Sequence, residues 1–203
     1  AIKKGYAIEL DVLLTKDNQV VVVHDNNLKR LTGNDVQIDQ MYLEQVKQLT
    51  LFETDSTIPT LTEVLDFING KVPILLEIKS SGLSHRLDEL TYMQIKDYSG
   101  SIAIQSFNIS SIRWFAKNAP DVTRGLLLRG NLGFDLANKF IDNLYMLYSK
   151  PNFVAYKYEN LVKTDFAELR KNGLIVLGWT VSENMLNTRE FVSHCDNIIL
   201  EAE

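Results

Sequence analysis

The 203-residue chain is 45% hydrophobic and 23% charged, enough apolar material for one domain or one modest barrel, and this excludes a disordered or low-complexity chain. Its net charge of -5 excludes nucleic acid as a general partner, because phosphate-backbone binding needs a basic face. One cysteine, Cys195, excludes an internal disulfide, and no stretch reaches the roughly 20 apolar residues of a membrane span or reads as a signal peptide, so a soluble, cytoplasmic protein is expected.

The first predicted strand is AIELDVLL, residues 7–14. A polar TKDNQ separates it from VVVVH, residues 20–24, and so short an Asp-Asn loop predicts a hairpin with the second run antiparallel to the first. If Asp17 and Asn18 make a two-residue turn, Lys16 pairs with Gln19 and Asp11 lies opposite His24, about 5 Å away at Cβ. The stretch MYLEQVKQL reads as an amphipathic helix, and TLTEVLDFING as another, with Thr60 and Glu63 forming a capping box and Gly70 the stop. PILLEIK (73–79) is the next strand, and SSGLSHRLDELTYM after it reads as a terse connection.

Further strands are expected at SIAIQSF (101–107), TRGLLL (123–128), NFVAYKY (152–158), LIVLGWTV (174–181) and NIILEA (197–202). Helical patterns lie between them at SIRWFAKNAP, FDLANKFIDNLYMLY and TDFAELRKNG, the last ending on Gly173. Strands apolar on both faces, alternating with helices, predict an α/β fold with a helix-covered parallel sheet. Apart from the hairpin return there are seven parallel strands, and a (β/α)8 barrel needs eight. The sheet is therefore either open and doubly wound, or a barrel whose first strand is absent from the chain as given.

Strand alternation puts Glu9 and Asp11 on one face, and Glu77 and Lys79 on one face of the later strand. Burying an unpaired carboxylate costs several kcal/mol, so acids inside apolar strands call for a cation. Three carboxylates at strand ends suit Mg²⁺ or Ca²⁺, and a neighbouring lysine suits an anionic ligand. An imidazole titrates near neutral pH in general, so His24 fits acid or base work beside a metal-bound phosphate. Ser106 and Lys157 sit near strand ends as secondary polar candidates. His85 and His194 lack such company and read as surface residues, and Cys195, in CDNIIL, as a small buried hydrophobe.

The stretches IELDVLLTKDNQVVVVHD, NLKRLTG, IPTLTEVL, LLEIK, IAIQSF, GWTV and CDNII, in this order, resemble the glycerophosphodiester phosphodiesterase (GDPD) family from about Gly5 to Glu201. The resemblance implies a single TIM (β/α)8 barrel domain over residues 1–203, with a small insertion after the second strand at about 25–72. It implies a divalent cation, Mg²⁺ or Ca²⁺, held by Glu9, Asp11 and Glu77, with His24 as a catalytic histidine. Lys79 would contact phosphate, Trp179 would lie near a glycerol pocket, and Phe107 is a second candidate wall.

The implied activity is hydrolysis of a small glycerophosphodiester substrate to sn-glycerol 3-phosphate and an alcohol. The family pattern also begins with a His-Arg-Gly strand and a Pro-Glu-Asn-Thr helix start, which this sequence lacks. That departure matches the strand count and implies that the strand carrying a first catalytic histidine is missing at the front. Two other readings remain: a non-catalytic barrel that binds a cation and phosphate, and a lipid-acting barrel phosphodiesterase of phospholipase C or D type.

Overall fold

The computed structural model describes residues 1–52, 54–129, 144–161, 170–171, 173–182, 185 and 194–201. The chain divides into two compact α/β units, Ala1–Ile104 and Gln105–Glu203. All eight expected strands are present: β1 (Ile8–Leu14), β2 (Val20–Val22), β3 (Ile74–Ile78), β4 (Ile102–Ser106), β5 (Thr123–Leu128), β6 (Phe153–Lys157), β7 (Ile175–Ser182) and β8 (Asn197–Glu201).

The strand order of the first unit is β2-β1-β3-β4, and the boundary between the units falls within β4, after Ile104. β1 and β3 are parallel, with Asp11 paired to Glu77 and Leu10 to Leu76. In β3 the alternate residues Ile74, Leu76 and Ile78 are buried, which turns Leu75 and Glu77 to the other, half-buried face.

The hairpin forms, but its register differs by one residue from the sequence expectation. The ladder pairs Leu14 with Val20, Leu13 with Val21 and Val12 with Val22, so Asp11 meets Val23, whose N–H donates to the Asp11 carbonyl at 3.0 Å, and not His24. The cause is a three-residue loop. Thr15 is buried, its hydroxyl donates to Asp17 Oδ1 at 2.6 Å and accepts from the Gln19 N–H at 2.9 Å, and Asn18 takes a left-handed conformation, φ 60°. A side-chain turn at Thr15 with an αL residue two positions before the return arm lengthens the loop by one residue.

Between β2 and β3 the chain builds a satellite core from Val21, Val23, Leu28, Leu31, Ile38, Val46 and Ile58. Its helices are short: α1 (Lys29–Thr32), α2 (Leu43–Val46) and the longer α3 (Leu61–Ile68). The expected capping box of α3 is present, the Glu63 N–H donating to Thr60 Oγ1 at 3.3 Å and the Thr60 N–H to Glu63 Oε2 at 2.7 Å. The helix ends one residue earlier than expected, on Asn69 in the left-handed region, ahead of Gly70.

The segment after β3 is more than a connection, because it contains α4 (Arg86–Ile95). The helix buries Leu87 and Ile95 but also Asp88 and Thr91, and this mixed face hides its period from a hydrophobicity reading. His85 is not a plain surface residue either, since its Nδ1 lies 2.7 Å from the buried Asp88 carboxylate.

In the second unit β5 to β8 follow one another in parallel order. α5 (Ile109–Asn118) is the helix expected at SIRWFAKNAP, capped by Asn108, whose Oδ1 accepts from the Ser110 N–H at 2.9 Å. Of the helix expected in FDLANKFIDNLYMLY, residues 144–149 are helical and 134–143 lie outside the described residues, as does most of TDFAELRKNG. Gly125 of β5 faces Phe153 so closely that a Cβ there would fall 2.0 Å from the ring. Cys195 is buried, as expected. Among the described residues no helix is long and apolar enough to cross a membrane.

Candidate active site

Parallel pairing of β1 with β3 sets Asp11 beside Glu77, and the two-residue period adds Glu9 to the same face. One carboxylate oxygen from each of Glu9, Asp11 and Glu77 lies within 4.8 Å of the others. Hard divalent cations take carboxylate oxygens at about 2.0–2.6 Å, so oxygens sharing one ion are separated by at most about 5 Å. The set fits Mg²⁺ or Ca²⁺ in donor chemistry and in spacing.

Lys79 completes the cluster. Its Nζ lies 3.1 Å from Asp11 Oδ1 and 3.3 Å from Glu77 Oε1, with all three side chains at least three-quarters covered. Burial pushes the Glu77 carboxyl above the ordinary carboxylate range, the Lys79 ammonium opposes this, and the Asp11 charge adds to it. A weaker opposing contribution comes from His24. Burial also works against the charge of Lys79, but Asp11 and Glu77 outweigh it and move its pKa up. The lysine is thus held cationic among the acids.

His24 reaches this neighbourhood from a loop, since β2 ends at Val22 and no ladder residue faces the imidazole. Two-thirds of its side chain is exposed, which leaves the ring open to a ligand. Its Nδ1 lies 2.6 Å from Asp25 Oδ1, and Arg30 Nε donates to Asp25 Oδ2 at 2.7 Å. The hydrogen bond from Arg30, followed by that from His24, holds the Asp25 carboxyl below the ordinary range. Arg30 was not among the sequence candidates, although it stands in NLKRLTG five residues after Asp25.

Trp179 belongs to the second unit, on β7. Its indole Nε1 donates to the Ala155 carbonyl at 2.9 Å, and Phe107 meets it edge-on with ring centroids 5.5 Å apart. The Arg129 guanidinium lies over the Phe107 ring, 4.8 Å from its centroid. Lys157 is paired with Glu159 at 2.7 Å, and Ser106 is buried, with its Oγ accepting from the Asn108 N–H at 3.1 Å.

Residues 1–200 match the profile of the glycerophosphoryl diester phosphodiesterase family. The chain belongs to that family. A glycerophosphodiester phosphodiesterase of Caldanaerobacter subterraneus is 30% identical over 205 residues, a match covering 96% of this chain and 81% of the relative. Among solved structures, an Oleispira antarctica phosphodiesterase in complex with the product sn-glycerol-3-phosphate superposes with a TM-score of 0.83 at 21% identity, covering 98% of this chain and 83% of that one. A glycerophosphodiester phosphodiesterase of Thermotoga maritima gives a TM-score of 0.75 at 26% identity, covering 95% and 80%. The α/β fold is that of the solved GDPD structures, and as a family member the protein is a phosphoric diester hydrolase acting on glycerophosphodiesters.

Proposed function

We propose that the hydrolysis is metal-dependent and runs at the Glu9, Asp11, Glu77, Lys79 and His24 cluster, releasing sn-glycerol 3-phosphate and an alcohol. The observation that carries this reading is the convergence of three carboxylate oxygens within 4.8 Å beside a lysine, with the exposed His24 following Val23, whose N–H donates to the Asp11 carbonyl. Glu9, Asp11 and Glu77 would hold Mg²⁺ or Ca²⁺, which supplies charge neutralisation at the phosphoryl oxygens and orients the attacking oxygen. Lys79 adds a fixed positive charge where negative charge gathers in the transition state. His24 moves a proton to or from the reacting oxygens through the imidazole nitrogen that Asp25 does not contact.

The segment of about 25–72 is read as an excursion of a GDPD-type domain that packs a core of its own, and the satellite cluster supports that excursion. Trp179 is read as an apolar wall for the glycerol part of the substrate, supported by its edge contact with Phe107. The substrate is a small glycerophosphodiester, in keeping with the sn-glycerol-3-phosphate held by the Oleispira antarctica relative.

The test is release of glycerol 3-phosphate from glycerophosphocholine by the full-length protein, with and without chelator, alongside His24→Ala. Chelation should stop turnover, and loss of the imidazole should slow it by about 10²- to 10⁴-fold. Turnover that survives both treatments would defeat the mechanism, and turnover confined to lysophospholipid vesicles would redirect it to lipid substrates.

A further inference from the structure

No ladder partner sets the ring of His24, so the loop that follows it must. That loop is pinned along its length. Asn26 Nδ2 donates to Gln37 Oε1 at 3.0 Å, the Ile38 N–H donates to the Asn26 carbonyl at 2.9 Å, and the Leu28 N–H to the Val36 carbonyl at 2.9 Å. Leu28, Leu31 and Ile38 are buried in the satellite core, which seats α1 and with it Arg30. A guanidinium can only donate, so Asp25 Oδ2 is committed to Arg30 as an acceptor. Asp25, kept ionised beside that charge, also has only acceptor atoms to offer His24. A contact of 2.6 Å between Oδ1 and Nδ1 then requires the proton on Nδ1.

Resting on the reading of His24 as the proton-transferring residue, we infer that Asp25 and Arg30 are positioning residues that hold His24 with its proton on Nδ1 and its Nε2 free for the reacting oxygen. The satellite core between β2 and β3 thereby serves the site, because it carries the arginine that fixes which way the carboxylate, and through it the imidazole, is turned. The effect of Asp25 and Arg30 passes through the tautomer of one ring.

Simple loss of structure would not reproduce one consequence of this arrangement. In Asp25→Asn the new amide still faces a side chain that can only donate, so its oxygen turns to Arg30 and its NH₂ to His24. That orientation forces His24 Nδ1 to accept and moves the proton to Nε2, the wrong nitrogen for a base. Replacing Arg30 as well, in Asp25→Asn/Arg30→Met, frees the amide to turn its oxygen back to the imidazole. The second substitution should therefore repair part of the first.

The test uses the full-length protein carrying ¹⁵N-labelled histidine, with the tautomer read from nitrogen–proton correlation spectra and hydrolysis of glycerophosphocholine followed in parallel. Wild-type His24 should carry its proton on Nδ1. Asp25→Asn should carry it on Nε2, with kcat lower by about 10²-fold and KM changed by no more than about twofold, as expected for a group acting on the chemical step alone. The double variant should regain about tenfold in kcat together with the Nδ1 form. A wild-type ring protonated on Nε2, or a folded double variant no faster than Asp25→Asn, overturns the inference. If His24→Ala leaves turnover intact, the catalytic reading fails by itself, and the tautomers still judge what Asp25 and Arg30 do.

Discussion

Replacing Lys79 by methionine should destabilise the metal-free protein and make its stability depend on divalent cations. The ammonium sits 3.1 Å and 3.3 Å from two carboxylates, and a third lies in the same cluster. Without it, each pair of ionised carboxylates within 4.8 Å repels by about 3.5 kcal/mol at an effective dielectric near 20. Glu77, already pushed up by burial, relieves part of this by taking a proton, and residual water relieves more. The net loss should be about 2–4 kcal/mol, the range in which breaking one side of a buried ion pair falls. For a chain of this length that lowers Tm by about 5–15 °C.

The assay is thermal denaturation of wild type and Lys79→Met in chelator, then in rising Mg²⁺ or Ca²⁺. The variant should melt well below wild type in chelator and recover more than wild type gains as the cation is added, because no ammonium competes for Asp11 and Glu77. A variant that melts with wild type in chelator and responds no more strongly to cations would refute the argument that lysine stands in for charge at a cation site.

Other consequences follow from single contacts. Thr60→Ala removes the cap of α3 and should cost about 1 kcal/mol in urea unfolding. Glu63, whose carboxyl is lowered first by its bond from Lys47 and then by the Thr60 N–H, contributes stability that is present above its ordinary value of 4.5 and is lost as pH falls through its lower folded value. Glu63→Gln should therefore flatten the acid limb of a stability profile and leave its slope near neutrality unchanged. Gly125→Ala would place a Cβ 2.0 Å from the Phe153 ring, and the displacement should cost about 1–3 kcal/mol in the same unfolding assay.

The strands were legible because apolar runs of five to eight residues bounded by polar loops have few other uses, and TRGLLL coincides with β5 to the residue. The acid pairs were legible for the same reason, since Glu9, Asp11 and Glu77 interrupt runs that otherwise want no charge. The hairpin register was not, because the loop length is decided by the Thr15 hydroxyl and the αL conformation of Asn18, and both fit a two-residue turn equally well on paper. α4 was hidden by Asp88 and Thr91, polar residues on its buried face. Arg30 was invisible as a site residue because its partner is a carboxylate that precedes α1. Only the fold of the satellite segment brings the guanidinium back to Asp25. Local pattern thus exposed residues that break an apolar run, and it missed those whose role depends on side-chain hydrogen bonds.

The central claim is that Glu9, Asp11 and Glu77 hold the cation on which hydrolysis depends. Its most direct test is to strip the full-length protein with chelator and titrate it with Mg²⁺ or Ca²⁺ while measuring release of glycerol 3-phosphate, for wild type and Glu77→Gln. Wild-type activity should vanish with the metal and return on addition, and the variant should need at least about 10²-fold more cation for half its activity, since one of three charged ligands is gone. Undiminished turnover in chelator, or identical cation titrations for the two proteins, would contradict it.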